Sequence, residues 1–205
     1  YIVLCLQAFP YNTVADPGGG TFPWWQAATT ALQRDHPHWT GMGKLVWDTR
    51  LATDFLLTQS GVDAQRLLLI GHSLGGKIAF YAGALDERIS AVIASDFGIG
   101  FTHSNWDAPW YLGALANDPT HGLAHHQLLA LLAPRPFLLL AGEFDGPASW
   151  PYLAATARIY DLYDRSSALA WLDHASGHAP PLAAMQTAYR WLADRFGLPP
   201  RPWTP

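Results

Sequence analysis

The sequence predicts an α/β fold, a mostly parallel sheet with helices on both faces. Three observations carry this. Short continuous apolar runs such as Arg66-Leu67-Leu68-Leu69-Ile70 and Pro136-Phe137-Leu138-Leu139-Leu140-Ala141 read as strands buried on both faces. Helix-length segments separate them, and strands joined through helices form parallel sheets. At one strand-to-helix junction stands Gly71-His72-Ser73-Leu74-Gly75, a G-x-S-x-G pentapeptide.

The elements follow in order. Tyr1-Ile2-Val3-Leu4-Cys5-Leu6 is an unbroken apolar run and reads as a first strand. Residues 10–42 are rich in Gly, Pro and Thr, and read as a long excursion with one short helix near 24–34. Residues 44–59 read as a helix whose apolar stripe is Leu45, Leu51, Phe55 and Leu56. Strand 66–70 leads into helix 74–85, and strand 89–95 follows. Residues 97–133 break the alternation with glycines, aromatic residues and histidines, and read as a cap-like insertion in a single domain of residues 1–205. Strand 136–141, helix 150–163, strand 168–173 and helix 181–196 complete a five-stranded reading. The tail, Pro199-Pro200-Arg201-Pro202, cannot continue the last helix.

Composition narrows the classes. In 205 residues, 50% are hydrophobic and 14% charged, enough apolar material for a sizeable core. A net charge of -4 gives no basic excess for a nucleic-acid partner. No run reaches the ~18 apolar residues of a membrane span. The single Cys5 excludes an intrachain disulfide and a cysteine-rich metal site. Ten tryptophans are core material or the walls of an aromatic pocket.

The pentapeptide carries the chemistry. A serine in a turn this tight sits in a strained backbone, and Gly71 and Gly75 remove side chains that would collide. The Leu74 N–H then points from the helix start to where an oxyanion would form. A serine hydroxyl needs a base, and the base needs an orienting acid. Both are expected further along the chain, beyond strand ends, acid first. His178, in Gly177-His178-Ala179-Pro180, is the expected base, with His174 its rival at the strand end. Asp145, after strand 136–141, is the expected acid. Asp96, after strand 89–95, and Glu143 are the alternatives. His121, His125 and His126 have a spacing seen in metal sites, but no carboxylate pattern supports them, and no metal or cofactor is expected.

With these residues in place, the chain resembles the alpha/beta-hydrolase superfamily, and within it the dienelactone-hydrolase-like and acetyl-xylan-esterase-like proteins. The resemblance runs from about Gly43 to Phe196. It rests on Gly43-Lys44-Leu45-Val46-Trp47-Asp48, Gly71 to Lys77, Asp86-Glu87-Arg88-Ile89, Asn105-Trp106-Asp107-Ala108-Pro109-Trp110, Ala133-Pro134-Arg135-Pro136, Asp145-Gly146 with Ser149-Trp150-Pro151, and Gly177-His178. It implies a serine carboxylic-ester hydrolase working through a Ser-His-Asp triad and an acyl-enzyme, on short-acyl or carbohydrate-linked esters.

The same resemblance touches the glucuronoyl esterases. Lys77 stands where their elbow carries a lysine that holds a sugar acid, and Asp96 where their acid commonly lies. Leu74 departs from the arginine they carry after the serine. Lys77, Trp106, Trp110 and Trp150 are the expected substrate contacts; a solvated lysine and core tryptophans are the plainer readings. A serine peptidase or amidase of the same fold, and a binding relative without turnover, are the competing functions.

The superfamily's sheet has an earlier strand beside the elbow strand, whose following loop gives a second oxyanion N–H. Residues 7–42 show no such strand. The sequence reading therefore expects a longer parent with about three more strands upstream. It also expects weak activity from a site left with the Leu74 donor alone, since one lost donor costs roughly 3 kcal/mol.

Overall fold

The computed structural model describes residues 1–118, 120 and 124–199, which fall into two compact units. The first unit spans Tyr1–Ala64 and the stretch beginning at Asn105. It holds α1 (Thr21–Asp35) and α2 (Gly41–Leu57). The second holds β1 (Leu67–His72), α3 (Leu74–Leu85), β2 (Ile89–Ser95), α4 (His125–Ala130), β3 (Phe137–Ala141), α5 (Trp150–Asp161), β4 (Leu169–Asp173) and α6 (Leu182–Arg195). The segment 97–133 is not one body: Phe97–Ser104 and α4 lie in the second unit and the part from Asn105 in the first.

In the first unit, Thr40 caps α2 by accepting from Gly43 N at 3.0 Å. The buried side of α2 carries Met42, Leu45, Asp48, Thr49 and Thr53. This corrects the expected stripe, since Leu51 and Phe55 are exposed. The polar residues can face inward because each is satisfied there. Thr49 and Thr53 hydroxyls donate to the carbonyls four residues back, at 2.9 Å each. Asp48 accepts from Phe9 N and Asn12 Nδ2 and pairs with Lys44.

Tyr1–Leu6 is not a strand; Tyr1, Ile2 and Val3 are exposed. An apolar run becomes a strand only where another strand takes its amides and carbonyls, and here none does among the described residues. The sheet has four strands rather than five. Residues 7–42 contribute α1, turns and the start of α2.

In the second unit the strands are parallel, in the order β1-β2-β3-β4. β3 is buried along its whole length and β2 along nearly all of it, so both are apolar on both faces. Ala91, Ile93, Leu138 and Leu140 pack against Ala184, Ala188 and Leu192 of α6. Alternation turns Val92 to the other face, where it meets Gly83 of α3. Arg135 fastens the crossover: its Nη1 donates to the carbonyls of Gly83, Asp86 and Ile89 at 2.8, 2.9 and 2.8 Å. No helix of the described residues is long and apolar enough to cross a membrane.

Candidate active site

Ser73 directly follows β1 and directly precedes α3, at φ 55° and ψ −115°. A non-glycine residue holds such a backbone only when its surroundings impose it. Ser73 N donates to Ser95 O at 2.8 Å, and Ser73 O accepts from Lys77 N at 3.0 Å. Of the neighbouring glycines, Gly71 is the one the turn requires: a Cβ there would stand 2.0 Å from Gly75 O. A Cβ at Gly75 would meet open space, whereas one at Gly76 would come within 2.8 Å of Phe97 Cβ. The close packing expected of Gly75 falls to Gly76. Leu74 opens α3, so its N–H is among the amides a helix start leaves without an intrahelical acceptor.

The acid beside the histidine is Asp96. His178 Nδ1 lies 2.6 Å from Asp96 Oδ2. A carboxylate accepts, so Nδ1 donates and Nε2 is left as the basic nitrogen. Asp96 is fully buried, at φ 41°, in a cradle of amides. Its Oδ1 accepts from Gly142, Phe144 and Asp145 N at 3.0, 2.8 and 3.0 Å, and its Oδ2 from Glu143 N at 3.1 Å. A nest of successive amides supports a buried carboxylate as a cation would.

This corrects the expectation for Asp145. That carboxylate, also fully buried, accepts from Phe97, Gly98 and Ile99 N at 2.8, 2.8 and 2.6 Å and from Ser149 Oγ at 3.0 Å. Burial pushes its pKa up, and the amides of Ile99, Gly98 and Phe97 and the Ser149 hydroxyl oppose the rise. The reason lies in register. His72 pairs with Ser95, so the residue after β2 stands one strand from the elbow, while β3 stands two strands away.

Two further rings pack against His178. Phe144 meets it edge-on at 5.0 Å and 82°, and His72 lies at 4.5 Å and 41°. Sequence reasoning missed both, although His72 sits inside the pentapeptide. Among the described residues the Ser73 hydroxyl forms no hydrogen bond with His178; such bonds commonly tighten only when substrate binds. His174, the rival base, turns Nδ1 to Ser176 Oγ at 2.8 Å. Glu143 contributes its amide to the Asp96 nest.

The expected substrate contacts divide. Lys77 is 2% exposed, and its ammonium donates to Phe97 O at 2.6 Å and Ser104 Oγ at 2.8 Å. Burial lowers its pKa to about 8, against the pull of Asp145 and Asp96. A buried lysine committed to the loop after Asp96 is no free anchor for a ligand. Trp150 is exposed and packs on Trp171 at 5.7 Å. Trp106 and Trp110 belong to the first unit. There Trp106 is buried, and Trp110 stacks with Phe22 and meets Trp25 edge-on. His125 is core: Nδ1 donates to Ile99 O at 2.5 Å, and Nε2 accepts from the Tyr81 hydroxyl at 2.7 Å. His126 gives its carbonyl to Thr156, and His121 lies outside the described residues.

Comparison with known proteins agrees with this architecture. No protein-family model matches the chain. It is 30% identical over 110 residues to the putative hydrolase YtaP of Bacillus subtilis (strain 168), covering 50% of this chain and 36% of that protein. It is 28% identical over 143 residues to a 4-O-methyl-glucuronoyl methylesterase of Neurospora crassa, covering 57% and 36%. A CE15 glucuronoyl esterase from Teredinibacter turnerae superposes with a TM-score of 0.65 at 22% identity, over 84% of this chain and 51% of that one. The chain spans 29% to 42% of the lengths of the curated relatives it matches. Its fold is that of the alpha/beta-hydrolases. Its sequence relatives include carbohydrate esterases and a putative hydrolase.

Proposed function

We propose that this chain carries the catalytic centre of a serine carboxylic-ester hydrolase acting on short-acyl or carbohydrate-linked esters. The observation that supports it most is the 2.6 Å bond from His178 to a buried, amide-cradled Asp96, together with a serine held at φ 55° in the strand-to-helix turn. Ser73 Oγ attacks the ester carbonyl while His178 Nε2 takes its proton. Asp96 holds the ring in that tautomer and stabilises the imidazolium. The Leu74 N–H faces the developing oxyanion, and the imidazolium protonates the departing alcohol. Water, deprotonated by the same ring, then releases the acid and restores Ser73.

Relatives named for glucuronoyl and other carbohydrate esters support the carbohydrate side of this reading. The position of Asp96 keeps a glucuronoyl-ester substrate within the class. Leu74 at the arginine position and the commitment of Lys77 weigh toward an uncharged acyl or sugar ester. A fluorophosphonate probe should label the chain and fail on Ser73→Ala. A panel of acetyl, butyryl, longer-acyl and methyl-glucuronate esters, run beside an anilide, ranks the substrates. Labelling that persists in Ser73→Ala would overturn the assignment.

A further inference from the structure

His72 is the residue of the pentapeptide to which the mechanism above gives no task. It ends β1, on the side of the strand that carries Leu68 toward α6. The β1–β2 register sets it opposite Ser95, the last residue of β2. Its Nδ1 shares a hydrogen bond of 3.0 Å with Ser95 Oγ, a hydroxyl on a residue only 6% exposed. The ring is thereby pinned to the sheet, though its outer side meets solvent. The two residues border a cavity of about 210 Å³ walled by Ile70, Ile93, Leu140 and Met185. The inner side of the ring lies against His178, with centroids 4.5 Å apart.

Resting on the hydrolase reading, we propose that His72 is a positioning residue for His178, its ring packed against the catalytic imidazole and bracing it. Asp96 fixes one atom of His178, and a ring held at one atom can still swing about that bond. Phe144, edge-on, and His72, at 41°, both pack against the ring and restrict that swing. The brace works only while it is uncharged, because a second cation at this distance would oppose the imidazolium formed during attack. The groups facing His72 are His178, His174 and Asp96. Partial burial, reinforced by His178 and His174 and opposed by Asp96, holds its pKa below the ordinary histidine value. That direction favours an uncharged His72 while His178 takes the serine's proton.

Two replacements separate ring from hydrogen bond. His72→Phe keeps a flat ring and loses the bond to Ser95; His72→Asn keeps a polar partner for Ser95 and loses the ring. With 4-nitrophenyl acetate, the Asn variant should lose about tenfold in kcat at nearly unchanged KM, as expected of a misaligned base. The Phe variant should stay within about threefold of the parent. The His178 Cε1–H signal, followed by NMR, should broaden in the Asn variant, where the ring loses its neighbour, and keep the parental line width in the Phe variant. An Asn variant with parental kcat and a parental His178 line width would overturn the brace, as would a Phe variant that falls as far as Asn. The NMR arm needs no turnover. Failure of the parent chain to hydrolyse any ester would sink the hydrolase reading and still leave the brace decided.

Discussion

The carboxylate of Asp96 accepts the amide of Asp145 at 3.0 Å along with those of Gly142, Glu143 and Phe144, and the carboxylate of Asp145 accepts the amides of Phe97, Gly98 and Ile99. Each aspartate thus anchors the loop on which the other is carried. Lys77 adds a cation to the Phe97 carbonyl between them. Only one of the two carboxylates keeps an oxygen for His178.

Removing the charge at each aspartate should give different failures. Asp96→Asn should lower kcat/KM for 4-nitrophenyl acetate by about three to four orders of magnitude, because an amide permits the wrong histidine tautomer. Asp145→Asn should cost about tenfold or less in kcat/KM while lowering the melting temperature, because it weakens a structural nest. Rates and melting curves of the two variants check this; the opposite ranking would restore Asp145 as the acid.

The elbow glycines should not respond alike. Gly71→Ala drives a Cβ into the Gly75 carbonyl at 2.0 Å, and should cost more than about 3 kcal/mol or prevent folding. Gly75→Ala enters open space on a helix and should leave stability unchanged within about 1 kcal/mol. Urea denaturation of both variants measures the contrast.

Arg135→Ala removes three bonds to the carbonyls of Gly83, Asp86 and Ile89. Charge-assisted bonds of this kind, partly buried, make a loss of about 3 kcal/mol the expected outcome. Arg135→Lys should recover only part of it, since an ammonium cannot reproduce the planar fork.

Acid should loosen the fold through His125. Burial lowers its pKa to about 4, below the 6.5 of a free histidine. A depressed folded value means stability that is present above pH 6.5 and lost as pH falls toward 4. The loss should approach about 3 kcal/mol, the cost of charging an imidazole that is buried in the fold and exposed in the unfolded chain. His125→Gln should flatten this part of the stability–pH curve in chemical denaturation between pH 7 and 4.

Much of the sheet was legible because its signals are local. Residues 89–95 and 136–141 are apolar on both faces, and β2 and β3 lie there. The turn at Ser73 was legible from five residues. What failed depended on partners distant in sequence. Tyr1–Leu6 has the letters of a strand without a neighbour to pair with. α2 turns Thr49 and Thr53 inward because their hydroxyls find helix carbonyls, which an apolar count cannot register. The choice between Asp96 and Asp145 was illegible for the same reason. Both follow strand ends, both are buried, and only the pairing of β1 with β2 tells which one stands beside the histidine.

The position of β1 has a kinetic consequence. Among the described residues it is bonded to β2 alone, so alternate amides along Leu67–His72 point away from any strand. Those amides should take up deuterium within seconds, while the ones shared with β2 exchange only through openings of the edge. The Ser73 amide, tied to Ser95 O at 2.8 Å, is the last stitch of that edge. Each opening that frees it also releases the backbone strain at φ 55° and takes Ser73, the proposed nucleophile, out of line. Deuterium uptake at this one amide therefore measures how much of the time the proposed attacking oxygen is in place.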